Sequence, residues 1–432
     1  MSRLSTALGL VSLAALAACG PKPIDPHKQV GPNPYLPAIH QYLLPPMYVS
    51  KAIGWGSDKP SVPAGMTVSA LASGLENPRS VYVLPNGDVL VAETGQPGPA
   101  PINRPKEFIM NFLETKSHSS GHPPQRITLI RMNASGAPIL RTVFIDHLTS
   151  PFGMVLVGND FYVADTDAVL RFPYQTGQTR ITAPGVKLTD LPGGPIDHHW
   201  TKSLTASPDG TKLYAGVGSN SNITENGIPA EKDRAAIWEI DRATGAHRLY
   251  ATGLRNPNGL SFEPTTHVLW AVVNERDELG PDLVPDYMTS VKDGAFYGWP
   301  WSYWGQHVDP RVMPQNPAMV AKAIMPDYSL SSHVAPLGMV FSTGTSLPAA
   351  YRGGAFVGEH GSWDRFPLNG YKVVYIPFAN GRPSGMAQDV VTGFATKKNE
   401  ARGRPVGLAM DNGGGLLIAD DVGGVVWRVT GG

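Results

Sequence analysis

Residues 253–262 read GLRNPNGLSF. They lie between HRLYAT (247–252) and HVLWAVV (267–273), apolar or alternating runs of the kind that form strands. An arginine, two asparagines, a proline and two glycines thus separate two buried segments. A turn explains the glycines and the proline. It does not explain a guanidinium and two amides at the mouth of a strand, and that excess suggests a wall built to hold something anionic.

The same phrase recurs along the chain. GLENPRSVYVLPNGDVLVAETG starts at Gly74, LTSPFGMVLVGNDFYVADTDAVLRF at Leu148 and HHWTKSLTASPDGTKLYAGVGS at His198. GLRNPNGLSFEPTTHVLWAVVNE follows from Gly253, HVAPLGMVFSTG from His333 and GRPVGLAMDNGGGLLIADDVGGVVWRV from Gly403. Each copy has a Pro/Gly entry, a short apolar strand, a polar turn and a second strand. Copies recur at roughly 40–80 residues, the range of four-stranded propeller blades with insertions. No long stretch has the apolar spacing of a helix. The sequence therefore predicts an all-β protein, a six-bladed β-propeller over residues 62–432, with a pair of β-sandwiches as the structural alternative.

Composition narrows the function. Lys+Arg and Asp+Glu are both 35, which argues against nucleic acid as a partner, since phosphate binding needs a basic excess. The 48 glycines and 41 prolines are spread along the chain, as many turns between short strands require. The N-terminus, MSRLSTALGLVSLAALAAC, has an early arginine, an apolar stretch and small residues before Cys19. It reads as a signal peptide over residues 1–18, and Leu16-Ala17-Ala18-Cys19 is similar to a bacterial lipobox. Cys19 is the only cysteine, and lipidation there predicts a lipoprotein on the periplasmic face of the outer membrane, touching the membrane only through that anchor. The proline-rich stretch at 19–61 is expected to be an extended tether.

In a propeller the entry phrases converge on one end of the central channel. The residues there that break a bland pattern are Arg79, His198, His199, Arg255, Asn256, Asn258, Arg402 and Arg404. Several arginines around one mouth repel one another unless an anion sits between them, and guanidinium grips planar carboxylates with paired hydrogen bonds. Strand alternation would place Arg402 and Arg404 on one face; salt bridges to Asp420 or Asp421 are the alternative. The loop VNERDELGPDLVPD (273–286) is rich in oxygen ligands and suits calcium, or is simply an acidic solvated loop. His199, before an inner strand, is a candidate base near neutral pH, with His198 as its competitor.

Taken together, GLRNPNGLSF, the acidic Gly-Pro loop followed by YGWP, HWTKSL and RGRPVG resemble the glucose/sorbosone dehydrogenases. These are six-bladed propellers that carry pyrroloquinoline quinone (PQQ) and calcium. NERDELGPDLVPDY, GAFYGWPWSYWGQHVDPR and GEHGSWDR resemble the L-sorbosone dehydrogenase branch in particular. The resemblance runs from about Met66 to the C-terminus and implies PQQ-dependent oxidation of a sugar or sugar aldehyde. It puts the general base on His199 and cofactor contacts on Arg255, Asn256, Asn258, Arg402 and Arg404, with asparagine at 258 where the glucose enzymes have glutamine. Calcium is implied on the backbone near Glu275, Arg276 and Asp277. A family lysine has no direct counterpart, and His360, Arg365 and Lys372 are its candidate replacements. Electrons would pass to an external acceptor, since no Cys-x-x-Cys-His haem motif occurs. A calcium-dependent lactone hydrolase and a non-catalytic binding propeller are the competing classes.

Overall fold

The computed structural model describes residues 24–40, 48–97, 123–194 and 196–432. Cys19 and the signal segment lie outside them, as does most of the 97–124 loop. Six four-stranded antiparallel units surround one axis. Their innermost strands are Pro78–Val83, Gly153–Val157, Lys202–Ala206, Asn256–Phe262, Pro336–Phe341 and Pro405–Met410, which define blades one to six. The sixth blade closes the ring: its outer strand, Met66–Ser73, comes from the start of the domain and pairs with Val425–Gly431. The propeller expected from the repeats is the observed fold.

The recurring Pro-x-Gly entry has a steric reason. Inner strands crowd at the axis, and a side chain at the glycine would strike the next blade. A Cβ at Gly259 would stand 2.7 Å from the Met339 amide, and one at Gly407 2.8 Å from the Ser80 Cα. Gly153 and Gly338 would likewise strike the Lys202 and Val406 backbones. Proline two residues earlier costs no ladder hydrogen bond where the strand begins. Most of these strands also bulge at the entry, with register shifts at Pro78/Ser80, Asn258/Ser261, Pro336/Gly338 and Pro405/Leu408. Bulges re-aim side chains, and here they sit at the end where the polar residues gather.

Three residues between Pro and Gly, Phe152, Leu337 and Val406, form a buried apolar cluster on the axis. Beyond it the inner strands line a channel of about 350 Å³. On the entry side a separate cavity of about 180 Å³ opens, with Leu337 at its floor.

The described part of the proline-rich segment is not a free tether. Val30–Gly31 adds a fifth strand to blade four beside Ser329 and Leu330. The Gln29 side chain is fully buried, donating to the Asp282 carbonyl at 2.6 Å and accepting from Ser332 at 2.9 Å. Lys51–Ala52 pairs in parallel with Glu400–Ala401, and Trp55 donates to Asp420 at 2.6 Å. Proline forbids the interior of a sheet but not a two-residue addition at its edge. The folded unit therefore begins well before Val62.

Candidate active site

The entry-side cavity is built by three blades. His198 and His199 come from the entry of blade three, and Arg255 and Asn256 from the entry of blade four. Asn274 ends the second strand of blade four, Glu275 and Asp277 follow it and Asp286 stands at the start of the third strand, while His333 and His360 belong to the entry and the turn after the second strand of blade five.

His199 is half-buried and its tautomer is set by its neighbours. Its Nδ1 lies 2.9 Å from the Ser219 carbonyl and 3.0 Å from the Ser219 hydroxyl, whose own proton goes to the Ser221 carbonyl at 2.6 Å. Both contacts therefore accept from Nδ1–H, which leaves Nε2 as the bare nitrogen. Burial, then the positive charge of Arg255, hold the imidazolium form well below the ordinary histidine range. The loop is braced from behind by Lys202, which is fully buried and donates to Asp197 at 3.0 Å and to the His199 carbonyl at 3.2 Å.

Arg255 is buried at the centre and its five N–H groups are all committed. Nε and Nη2 reach the carbonyl and the Oδ1 of Asn222 at 3.2 and 2.9 Å, and Nη2 also reaches Asp277 at 3.2 Å. Nη1 donates to the carbonyls of Asn274 and Glu275 at 3.3 and 2.5 Å. The residue shapes the mouth and spends its donors on the protein. Unspent polarity lies beside it: Asn256 Oδ1 and Asn258 Nδ2 are buried with no hydrogen-bond partner among the described residues, and Asn258 Oδ1 accepts from Thr201 at 3.2 Å.

Arg404 and Arg402 part company. Arg404 is buried, lies 5.1 Å over the Tyr371 ring and donates to the carbonyls of His360 and Gly361 at 3.0 and 2.6 Å, so it fixes two wall residues. Arg402 does not join the site. Its guanidinium pairs with Asp58 at 3.0 Å on the surface. The shared face expected from strand alternation fails because no strand spans 402–404: the amides of Arg402 and Gly403 both turn onto the Phe394 carbonyl, and the strand starts at Pro405.

Among the candidates for the missing lysine, only His360 lines the cavity. Arg365 is buried against Asp282 at 3.0 Å, and Lys372 pairs with Asp389 at 2.7 Å. His360 Nε2 donates to Asp421 at 2.9 Å, and Asp421 also accepts from Arg79 at 2.6 Å. Burial, then Arg404, lower His360 to about 4, so the ring is neutral and its Nδ1 accepts.

The acidic loop departs from expectation. The Glu275 carbonyl accepts from Arg255, and the Asp277 carbonyl accepts from both Nε (2.8 Å) and Nη2 of Arg276, whose Nη1 pairs with Asp309 at 2.6 Å. Guanidinium N–H groups aimed at these carbonyls oppose a cation, so Glu275 and Asp277 do not fit calcium through their backbones, and the Arg276 guanidinium beside them adds positive charge. The Glu275 carboxyl is pushed up to about 8 by burial, and that of Asp286 to about 7.

Sequence reasoning missed His333 and Asp364. His333 Nδ1 lies 3.5 Å from Asp277 and 3.3 Å from Asp364, and Nε2 donates to the Gly280 carbonyl at 3.0 Å. Burial opposes charge on His333, but Asp364 and Asp277 outweigh it and raise it to about 9. Its signal was available, since it heads the fifth repeat as His198 heads the third. Asp364 lies outside any entry phrase and had none.

The fold and this mouth define a six-bladed propeller whose polar, titratable site occupies one end of its axis. Residues 160–362 match the glucose/sorbosone dehydrogenase family model, and residues 308–432 match a TrAA12-like model. The glucose/sorbosone dehydrogenase match covers just under half of the chain. It is 32% identical over 293 residues to a pyrroloquinoline quinone-dependent pyranose dehydrogenase of Coprinopsis cinerea, covering 54% of this chain and 39% of that protein. It is 29% identical over 241 residues to an uncharacterized protein of Borreliella burgdorferi, covering 55% of this chain and 62% of that protein. The chain thus spans less than two thirds of either relative. The PQQ domain of the Coprinopsis pyranose dehydrogenase, solved in its holo form, superposes with a TM-score of 0.69 at 21% identity, covering 86% of this chain and 97% of that one. A Trichoderma reesei family AA12 carbohydrate-active enzyme gives 0.70 at 19% identity, covering 90% and 100%.

Proposed function

We propose that the protein is a PQQ-dependent dehydrogenase that oxidises a sugar or sugar aldehyde and passes the electrons to an external acceptor. The observation that carries this reading is the bare Nε2 of His199 in the same small cavity as the unspent amide of Asn256. The mouth suits a flat polar cofactor: Asn256 Oδ1 has no partner among the described residues, His360 presents an accepting nitrogen, and Arg404 adds positive charge behind the wall, while Asn258, fully buried, does not line the cavity. Bound there, PQQ supplies an ortho-quinone that accepts two electrons.

The chain's own residues do the rest. His199 Nε2 takes the proton from a substrate hydroxyl, with Ser219 holding the ring in the tautomer that permits it. Arg255, locked by five hydrogen bonds, keeps the imidazole neutral and therefore free to accept a proton. The plug of Phe152, Leu337 and Val406 closes the floor and limits water from the channel side. Of the two branches weighed, the C. cinerea relative favours a pyranose over L-sorbosone. Lipid attachment at Cys19 belongs to the same proposal, and metabolic labelling with a fatty acid tests it.

The experiment is reconstitution. Cofactor-free protein titrated with PQQ should show saturable binding, followed by sugar-dependent dye reduction. His199→Ala should retain the binding and lose the turnover. Wild-type protein that neither binds PQQ nor reduces dye with any aldose, alditol or sorbosone defeats the proposal, and full turnover by His199→Ala reassigns the base to His198.

A further inference from the structure

We propose that Asp277, His333 and Asp364 form a side-chain site for a divalent first-row transition ion, of which zinc is the best fit, on the wall of the cavity. One ligand atom from each lies within 4.8 Å of those of the other two. His333 Nε2 donates to the Gly280 carbonyl, so Nδ1 is the ring nitrogen that faces the two carboxylates, and a metal bound there would displace its proton and take its electron pair. A histidine whose far nitrogen is anchored to a backbone carbonyl is the usual arrangement of a metal ligand.

The gap between the groups is long for a charge-assisted hydrogen bond. Charge-assisted N–H···O bonds run about 2.7–2.9 Å, and the distances here are 3.3 and 3.5 Å. Asp364 Oδ1 is buried, faces Nδ1 and has no hydrogen-bond partner among the described residues. Two ligands each held about 2.0–2.1 Å from a tetrahedral ion stand about 3.3 Å apart, close to both distances. Arg255 offsets Asp277, whereas Asp364 has the His333 ring as its ion-pair partner among the described residues, the neighbouring Arg365 pairing with Asp282 at 3.0 Å. An imidazole nitrogen with only two carboxylates suits zinc or manganese better than calcium, which takes six to eight oxygens. The fourth position would face the cavity, since Asp277 and His333 both line it.

This inference stands apart from sugar oxidation, because metal content is measured without turnover. Tag-free full-length protein, stripped with a chelator, is titrated with Zn²⁺, Mn²⁺ and Ca²⁺ separately by calorimetry, and bound metal is counted by mass spectrometry. We expect one tight equivalent of Zn²⁺, undisturbed by millimolar Ca²⁺. Asp364→Asn and His333→Gln should each weaken it at least about 100-fold, since losing even an outer-shell partner costs 10–100-fold. Co²⁺ loaded into the wild type should give the intense visible bands of a four-coordinate nitrogen/oxygen site, a readout that needs no variant to fold. No stoichiometric Zn²⁺, or equal binding in wild type and both variants, overturns the site and leaves a protonated His333 bridging the two carboxylates.

Discussion

Gly218 is the point at which one methyl group tests the geometry of the mouth. It follows the strand Lys212–Val217 and sits between His199 and Asn256. A Cβ there would come within 3.0 Å of both His199 Cβ and Asn256 Oδ1, against ordinary contacts from 3.4 Å. Asn256 Oδ1 ends a side chain that can turn, but His199 Cβ is fixed to the backbone, so in Gly218→Ala the His199 backbone has to retreat by about half an ångström or more. Overpacking of this kind costs about 1–3 kcal/mol. Unfolding entropy near 2.1 cal/mol/K per residue gives roughly 0.9 kcal/mol/K for a chain of this size, so Tm should fall by only about 1–3 °C. The catalytic effect should be far larger, because a misplacement of about 1 Å costs on the order of 10²-fold. The assay is dye-linked kinetics on PQQ-loaded protein beside thermal unfolding of the same sample. A fall in kcat of about 10- to 100-fold with Tm almost unchanged is the expected pair. Unchanged kcat with unchanged Tm would refute the claim that this contact sets the position of the base.

Three further outcomes are expected. Arg402→Ala should leave PQQ affinity and turnover unchanged and cost at most about 1 kcal/mol, as exposed pairs do, whereas Arg404→Ala should weaken PQQ binding at least about 10-fold by freeing the His360–Gly361 wall; equal losses in titration of the two variants would restore the paired-arginine reading. The acid limb of kcat/KM should lie below pH 6.5: burial and Arg255 depress His199, so its base form persists as pH falls through the ordinary histidine range, and a limb at or above 6.5 in the pH profile reassigns the base. Asp420→Ala should destabilise by about 3–5 kcal/mol in denaturant titrations, because it strands four N–H donors at once, those of Trp55, Trp427, Arg404 and Gly423; a loss under about 1 kcal/mol means that water replaces the carboxylate.

What was legible in the sequence is what repeats locally. Pro-x-Gly recurs because every blade meets the same crowding at the axis, so a short window carries the signal. Arg255 and Asn256 stand beside such a window and His199 in the corresponding entry of blade three, which lacks the Pro-x-Gly, and the structure brings them to one cavity. Arg402 was misread because alternation holds only inside a strand, and two amides folding onto the Phe394 carbonyl end the strand before it begins. The described strap, residues 24–40 and 48–61, was illegible for another reason. Its hold depends on partners some 300 residues away, such as Gln29 with Ser329 and Ser332, and on edges that no pattern within the segment announces. The acidic loop was read correctly as rich in oxygens. Which oxygens are available depends on where Arg255 and Arg276 point, and that is a property of packing.

The position of the family match follows from the same geometry. All residues lining the cavity except Trp363 fall within 160–362, the segment that matches the glucose/sorbosone dehydrogenase model. That segment holds the entries of blades three, four and five and the turns after their second strands. Blade two contributes Phe152 to the apolar plug, and blades one and six stand behind the wall through Arg79, Asp421 and Arg404. The site is therefore eccentric: half the propeller carries the titratable groups and the other half closes and braces it. A ring that needs six blades for closure needs only three for chemistry. Substitutions in blades one, two and six should accordingly act on stability first, and reach the site only where Arg79, Asp421 or Arg404 transmits them.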